Sequence, residues 1–169
     1  MNDNKSTEFK IDTETQTIVI NRLFNATKSL IWEAWTNPVL LYQWRAPKPF
    51  TVETKIMDFK SGGFWLYAIV NPDGNRHWSR YDYQSIELEN KIIETRAFSD
   101  ENGIINPDFQ PSFATVTFNE IDGKTQVIET IEYASTEMFQ RMSSDNHRKG
   151  YASTFKQLDI LLREIKAQQ

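Results

Sequence analysis

The chain has 169 residues, with 19 Lys and Arg against 23 Asp and Glu, a formal charge of −4 and 39% hydrophobic residues. A chain this long buries roughly 70% of its unfolded surface, enough for one core with room for a cavity, and its longest apolar run, Phe64 to Val70, falls far short of the about 20 residues of a membrane-spanning helix. The absence of cysteine excludes disulfides, thiolate nucleophiles and Cys-bound zinc, and the acidic balance weighs against a phosphate-backbone partner, so neither nucleic acid nor membrane is expected.

In chain order, Met1 to Lys5 reads as a loose tail, and residues 1–16 as a tail or strand extension ahead of a single domain over residues 17–169. Met1 to Glu8 is polar and lacks the apolar stretch of a signal peptide, which predicts a cytoplasmic protein. Thr17 to Phe24 is β-branched and aromatic enough for a strand, with Asn25 placed to cap a helix after it. Leu30, Ile31, Ala34 and Trp35 recur at helical spacing. Asn37-Pro38 then ends that helix and starts a second, short one with Leu40, Leu41 and Trp44 on its apolar side.

Six extended segments follow: Thr51 to Phe59, Phe64 to Asn71, Trp78 to Leu88, Lys91 to Phe98, Phe113 to Ile121 and Thr125 to Tyr133. Pro72-Asp73-Gly74 and Asp122-Gly123 supply hairpin turns between them, which makes the sheet antiparallel. Ser99 to Pro111 is longer than a hairpin needs and has the length of a mobile flap. Ser144 or Asp145 caps a last helix of about five turns, with Tyr151, Phe155, Leu158, Leu162 and Ile165 on its apolar face and Lys149, Lys156, Asp159, Arg163, Glu164 and Lys166 on the rest. The order predicts an α+β fold, a seven-stranded antiparallel sheet curved around a long C-terminal helix, with two short helices after the first strand.

Ile20-Asn-Arg-Leu-Phe-Asn-Ala, Ile31-Trp-Glu-Ala-Trp-Thr-Asn-Pro, Gly62-Gly-Phe-Trp-Leu-Tyr with Pro72-Asp-Gly, Ala114-Thr-Val-Thr-Phe and Gly150-Tyr151 occur in that order over most of the chain. Together they resemble the activator of heat-shock-protein-90 ATPase homologue family. The resemblance implies a helix-grip fold of the START and birch-pollen-allergen type, the SRPBCC superfamily, whose sheet and long helix enclose a cavity for an apolar or amphipathic molecule. Against the family pattern, Arg45-Ala46 stands where many relatives have Trp-Gly, Tyr81 where they have glycine, and Glu94 and Glu129 where they place large apolar residues.

Alternation sets Val127, Glu129, Ile131 and Tyr133 as the more apolar row of their strand, which makes Glu129 an inward carboxylate in need of a partner. On Lys91 to Phe98 the resemblance turns Ile92, Glu94 and Arg96 inward, whereas composition favours Ile93, Thr95 and Ala97. Glu94, Arg96 and Glu129 with Tyr67, Tyr81 and Tyr83 form one candidate polar patch, and Trp65, Tyr151 and Phe155 complete the candidate cavity wall. Both rows of Phe64 to Val70 want burial. The outer one is covered either by loop or N-terminal residues or by a second copy in a homodimer.

No catalytic or cofactor motif stands out. His77 and His147 read as surface residues, Gly123-Lys124-Thr125 lacks the upstream glycine of a phosphate loop, and Asp58 reads as structural support for the Ser61-Gly62-Gly63 turn. The function expected is a non-catalytic domain that binds a small hydrophobic or amphipathic molecule, with no metal or cofactor. Behind it stand a chaperone-partner module like the family's namesake and a cyclase or dehydratase using Glu94 or Glu129 as acid or base.

Overall fold

A computed structural model describes residues 6–169, so the tail expected at residues 1–5 lies outside the described residues. The strands are β1 (Glu8–Asp12), β2 (Thr17–Phe24), β3 (Thr51–Met57), β4 (Phe64–Val70), β5 (Arg76–Glu87), β6 (Lys91–Phe98), β7 (Ser112–Ile121) and β8 (Lys124–Glu132). The helices are α1 (Lys28–Thr36), α2 (Pro38–Trp44), α3 (Thr136–Met142) and α4 (Asp145–Ala167). All strands join one antiparallel sheet in the order β1-β2-β8-β7-β6-β5-β4-β3. This is the α+β helix-grip architecture, with α4 held against the concave face. No helix among the described residues is long and apolar enough to cross a membrane.

Among the described residues the sheet has eight strands, one more than the sequence pattern gives. The added strand lies in the segment read as a tail or strand extension, where Phe9 and Ile11 alternate with charged residues and pack on the core. Asp12 closes its turn by accepting the Glu14 and Thr15 amides at 3.0 and 3.2 Å.

Helix α1 starts later than Asn25. The Thr125 hydroxyl donates to the Ala26 carbonyl at 2.8 Å, holding that residue outside the helix, and Thr27 becomes the cap by accepting from the Leu30 amide at 3.3 Å. Asn37 serves both neighbours. Its amide closes α1 on the Glu33 carbonyl at 2.9 Å, and its side chain accepts from the Val39 amide to open α2. Helix α3 is absent from the sequence reading; it is a short turn capped by Ser135 that buries Met138 and Phe139.

Helix α4 is capped by Ser144 as expected and buries Phe155, Leu158, Leu161 and Leu162. Asp159, read as part of its solvated side, instead pairs at 2.5 Å with Arg22, whose side chain is wholly buried on β2. Gln157 fastens the helix to the loop after α2, donating to the Trp44 and Ala46 carbonyls at 3.2 and 2.8 Å and accepting from the Lys48 amide.

The loop over residues 99–111 folds back on itself through a Ser99–Ile105 bridge. Its Gly103 lies against Leu66 and receives a hydrogen bond from Arg80 at 3.3 Å. Leu66 faces outward on β4 yet is buried, so this loop covers part of the outer row that the sequence left without a lid.

Candidate functional site

The concave interior has two unlike halves. Toward α1 and α2 it is solid: Trp35, Trp44, Phe24, Phe118 and Phe155 pack edge-to-face or tilted, with ring centroids 4.6 to 6.1 Å apart. Toward α3 and the start of α4 lies a partly enclosed cavity of about 410 Å³. Ile18, Ile20 and Ile131 form part of its floor, Met138, Met142 and Thr154 part of its roof, and Phe9 of the unexpected first strand also borders it.

A buried ionic array stands between the halves. Sheet register builds it, pairing Tyr81 with Arg96 and Tyr83 with Glu94, and placing Glu129 beside Val116 and Ile20 on one inward row. The Arg96 Nε donates to Glu94 at 2.6 Å and its Nη2 to Glu129 at 2.9 Å. Arg45, just past the end of α2, reaches Glu129 at 3.5 Å, and the Tyr151 hydroxyl from α4 donates to the other Glu129 oxygen. The charges alternate along the array as Arg45, Glu129, Arg96, Glu94. Arg45 also lies over the rings of Trp44 and Tyr151, with its guanidinium carbon 5.3 and 5.4 Å from their centroids.

Burial alone raises the Glu129 pKa, but Arg45 and Arg96 outweigh it and hold the carboxyl below its ordinary value. For Glu94 the balance reverses. Burial pushes its carboxyl up and Arg96 offsets only part of that. Burial also raises the Tyr151 hydroxyl well above a free phenol, which keeps it protonated as the donor to Glu129.

Of the sequence candidates, Tyr67, Tyr81, Arg96 and Tyr151 border the cavity. Trp65, Tyr83 and Glu94 border instead a void of about 10 Å³ behind the array, and Glu129 and Phe155 border neither space. On β6 the inward row is Ile92, Glu94 and Arg96, against the composition reading of that strand. Trp65 is core: it stacks on Tyr67 at 3.9 Å and its indole donates to Thr54 at 2.9 Å. His147 is half-buried, borders the cavity beside Tyr151, and has its pKa lowered by burial, so it is not a surface residue; His77 is exposed at the cavity's edge. Asp58 supports its turn through backbone, its amide donating to the Phe64 carbonyl at 2.9 Å.

Sequence reasoning left Arg45 out of the site. The signal was present in the charge standing where relatives have tryptophan, but a residue at a helix end has no strand parity to assign it inward.

The family model described as activator of Hsp90 ATPase homolog 1-like protein matches residues 25–163. A crystal structure of a Mycobacterium smegmatis protein is 27% identical, with a TM-score of 0.83 over 93% of this chain and 96% of that one. A solution structure of an Arthrobacter aurescens protein is 24% identical, with a TM-score of 0.83 over 93% and 91% of the two chains. A Silicibacter pomeroyi protein whose structure carries the family's name is 18% identical, with a TM-score of 0.68 over 87% and 97%. No curated protein matches the chain.

Proposed function

The chain belongs to the activator of Hsp90 ATPase homolog 1-like family, and from that premise we propose that it is a cytoplasmic binding domain that holds a small apolar or amphipathic molecule between sheet and C-terminal helix. The observation that carries the reading is the cavity of about 410 Å³, within the size range of small-molecule sites and walled largely by apolar side chains with a few convergent polar groups. The position of the carboxylates favours binding over acid–base chemistry. Glu94 and Glu129 are spent on guanidinium partners and neither borders the cavity.

Ser79 is a buried cavity-wall residue on β5 and gives a direct test. In Ser79→Leu the added methyl groups enter empty space, so unfolding in urea should change by less than about 1.5 kcal/mol, while binding of the neutral dye Nile red should weaken by roughly tenfold or more. Unchanged dye affinity in the variant, or no dye binding by the parent protein, would overturn the reading.

A further inference from the structure

Charge is divided unevenly between the ionic array and the space beside it. Arg45 and Arg96 both border the cavity, as do His77 and His147, while among the described residues no Asp or Glu does. The cavity thus meets the array on its cationic side.

Arg96 has a donor to spare. Its side chain is nine-tenths buried, with Nε committed to Glu94 and Nη2 to Glu129. Its Nη1 has no partner among the described residues and, unlike Arg45 Nη1, is not sealed in protein. The adjacent hydroxyls of Tyr67 and Tyr81, 3.1 Å apart, share a single hydrogen bond, so one of their two protons also lacks an acceptor. Arg96 lies over the Tyr81 ring at 4.8 Å, and all three side chains border the cavity, so these donors are neighbours on its wall. Ile18, Ile69, Ile131, Met138 and Met142 make much of the remaining wall apolar, and the other polar groups that border it, such as Ser79, Ser112 and Thr154, carry no charge.

We propose that the cavity's occupant has an apolar body and a carboxylate head, the head accepting from Arg96 Nη1 and from the Tyr67–Tyr81 hydroxyl pair. This rests on the binding reading above and assigns the chemical class of the ligand. A guanidinium nitrogen presented in an apolar enclosure favours a charged acceptor because charge-assisted hydrogen bonds are the strong ones. An alcohol of the same length leaves that strength unused. An amine meets like charge.

The test is titration calorimetry at neutral pH with dodecanoate, 1-dodecanol and dodecylamine. Dodecanoate should bind roughly tenfold tighter than 1-dodecanol, with dodecylamine weakest. The double variant Arg96→Gln with Glu94→Gln removes one charge of each sign and should erase the preference while keeping the affinity for 1-dodecanol. Tyr81→Phe leaves the ionic array intact, and decides the matter where the double variant fails to fold. It should weaken dodecanoate by about threefold and leave 1-dodecanol unchanged, whereas a merely structural role would weaken both alike. Equal or tighter binding of 1-dodecanol would overturn the head-group assignment and leave the binding reading standing. Failure of all three probes to bind the folded protein would overturn both.

Discussion

Glu129 and Glu94 lie two strands apart in one buried array, yet burial acts on them with opposite outcomes. Glu129 has two guanidinium partners and a phenol, so its folded pKa lies below the unfolded value; Glu94 has one, and its folded pKa lies above. Glu129 therefore adds stability that is fully present above the unfolded carboxyl pKa of about 4.3 and is lost as pH falls through its lower folded value. Glu94 adds stability that is present below that pH and is lost as pH rises through its higher folded value. Replacing Glu129 by Gln should cost about 3 to 5 kcal/mol near neutrality, because two buried guanidinium groups lose their shared counter-charge, and the cost should shrink in acid. Replacing Glu94 by Gln should cost less at neutral pH than in acid. Urea unfolding of both variants across that range checks the opposing slopes. The inward side of Glu129 was legible because Val127 and Ile131 flank it in an apolar row. That of Glu94 was not, since Ile93, Thr95 and Ala97 made the opposite row of β6 look more apolar.

At the scale of elements, the turn from β3 to β4 shows how closely backbone can dictate a residue. A Cβ on Gly63 would stand 2.0 Å from the Asp58 carbonyl oxygen, in a turn that also hydrogen-bonds to both backbone groups of Tyr83. Gly63→Ala should destabilise by about 1 to 3 kcal/mol or more in denaturant unfolding. A neutral result would mean that the turn can open without loss. Gly62, whose Cβ would meet nothing nearby, needs glycine for its φ of +86° instead. The long strands and α4 were readable from periodicity, because alternation and the four-and-three spacing persist over many residues. Strand β1 and helix α3 were not. Glu8–Asp12 carries only two apolar residues, and α3 is a seven-residue turn whose Met138 and Phe139 show no repeat.

Across the whole molecule, one interior serves two purposes because the array of Arg45, Glu129, Arg96 and Glu94 stands between an aromatic core and a cavity. The core half is anchored on the tryptophans of α1 and α2 and is continuous with the apolar cavity floor of Ile18, Ile20 and Ile131. The strand order explains the placement: β2 pairs with β8, the last strand of the β3–β8 meander, and the two together bring Ile18, Ile20 and Ile131 to the cavity floor. Architecture of this kind was legible from the order of elements and from the family motifs. The division of the interior was not, since aromatic residues suit a solid core and a pocket wall equally well. Native mass spectrometry of the protein purified from its own cells reads the occupancy of the cavity without a chosen probe. A reproducible adduct of a few hundred daltons is expected, a mass suited to a drug-sized cavity, and it should be lost in Ser79→Leu. A bare polypeptide mass under conditions that retain a bound fatty acid on a control protein would contradict the binding reading.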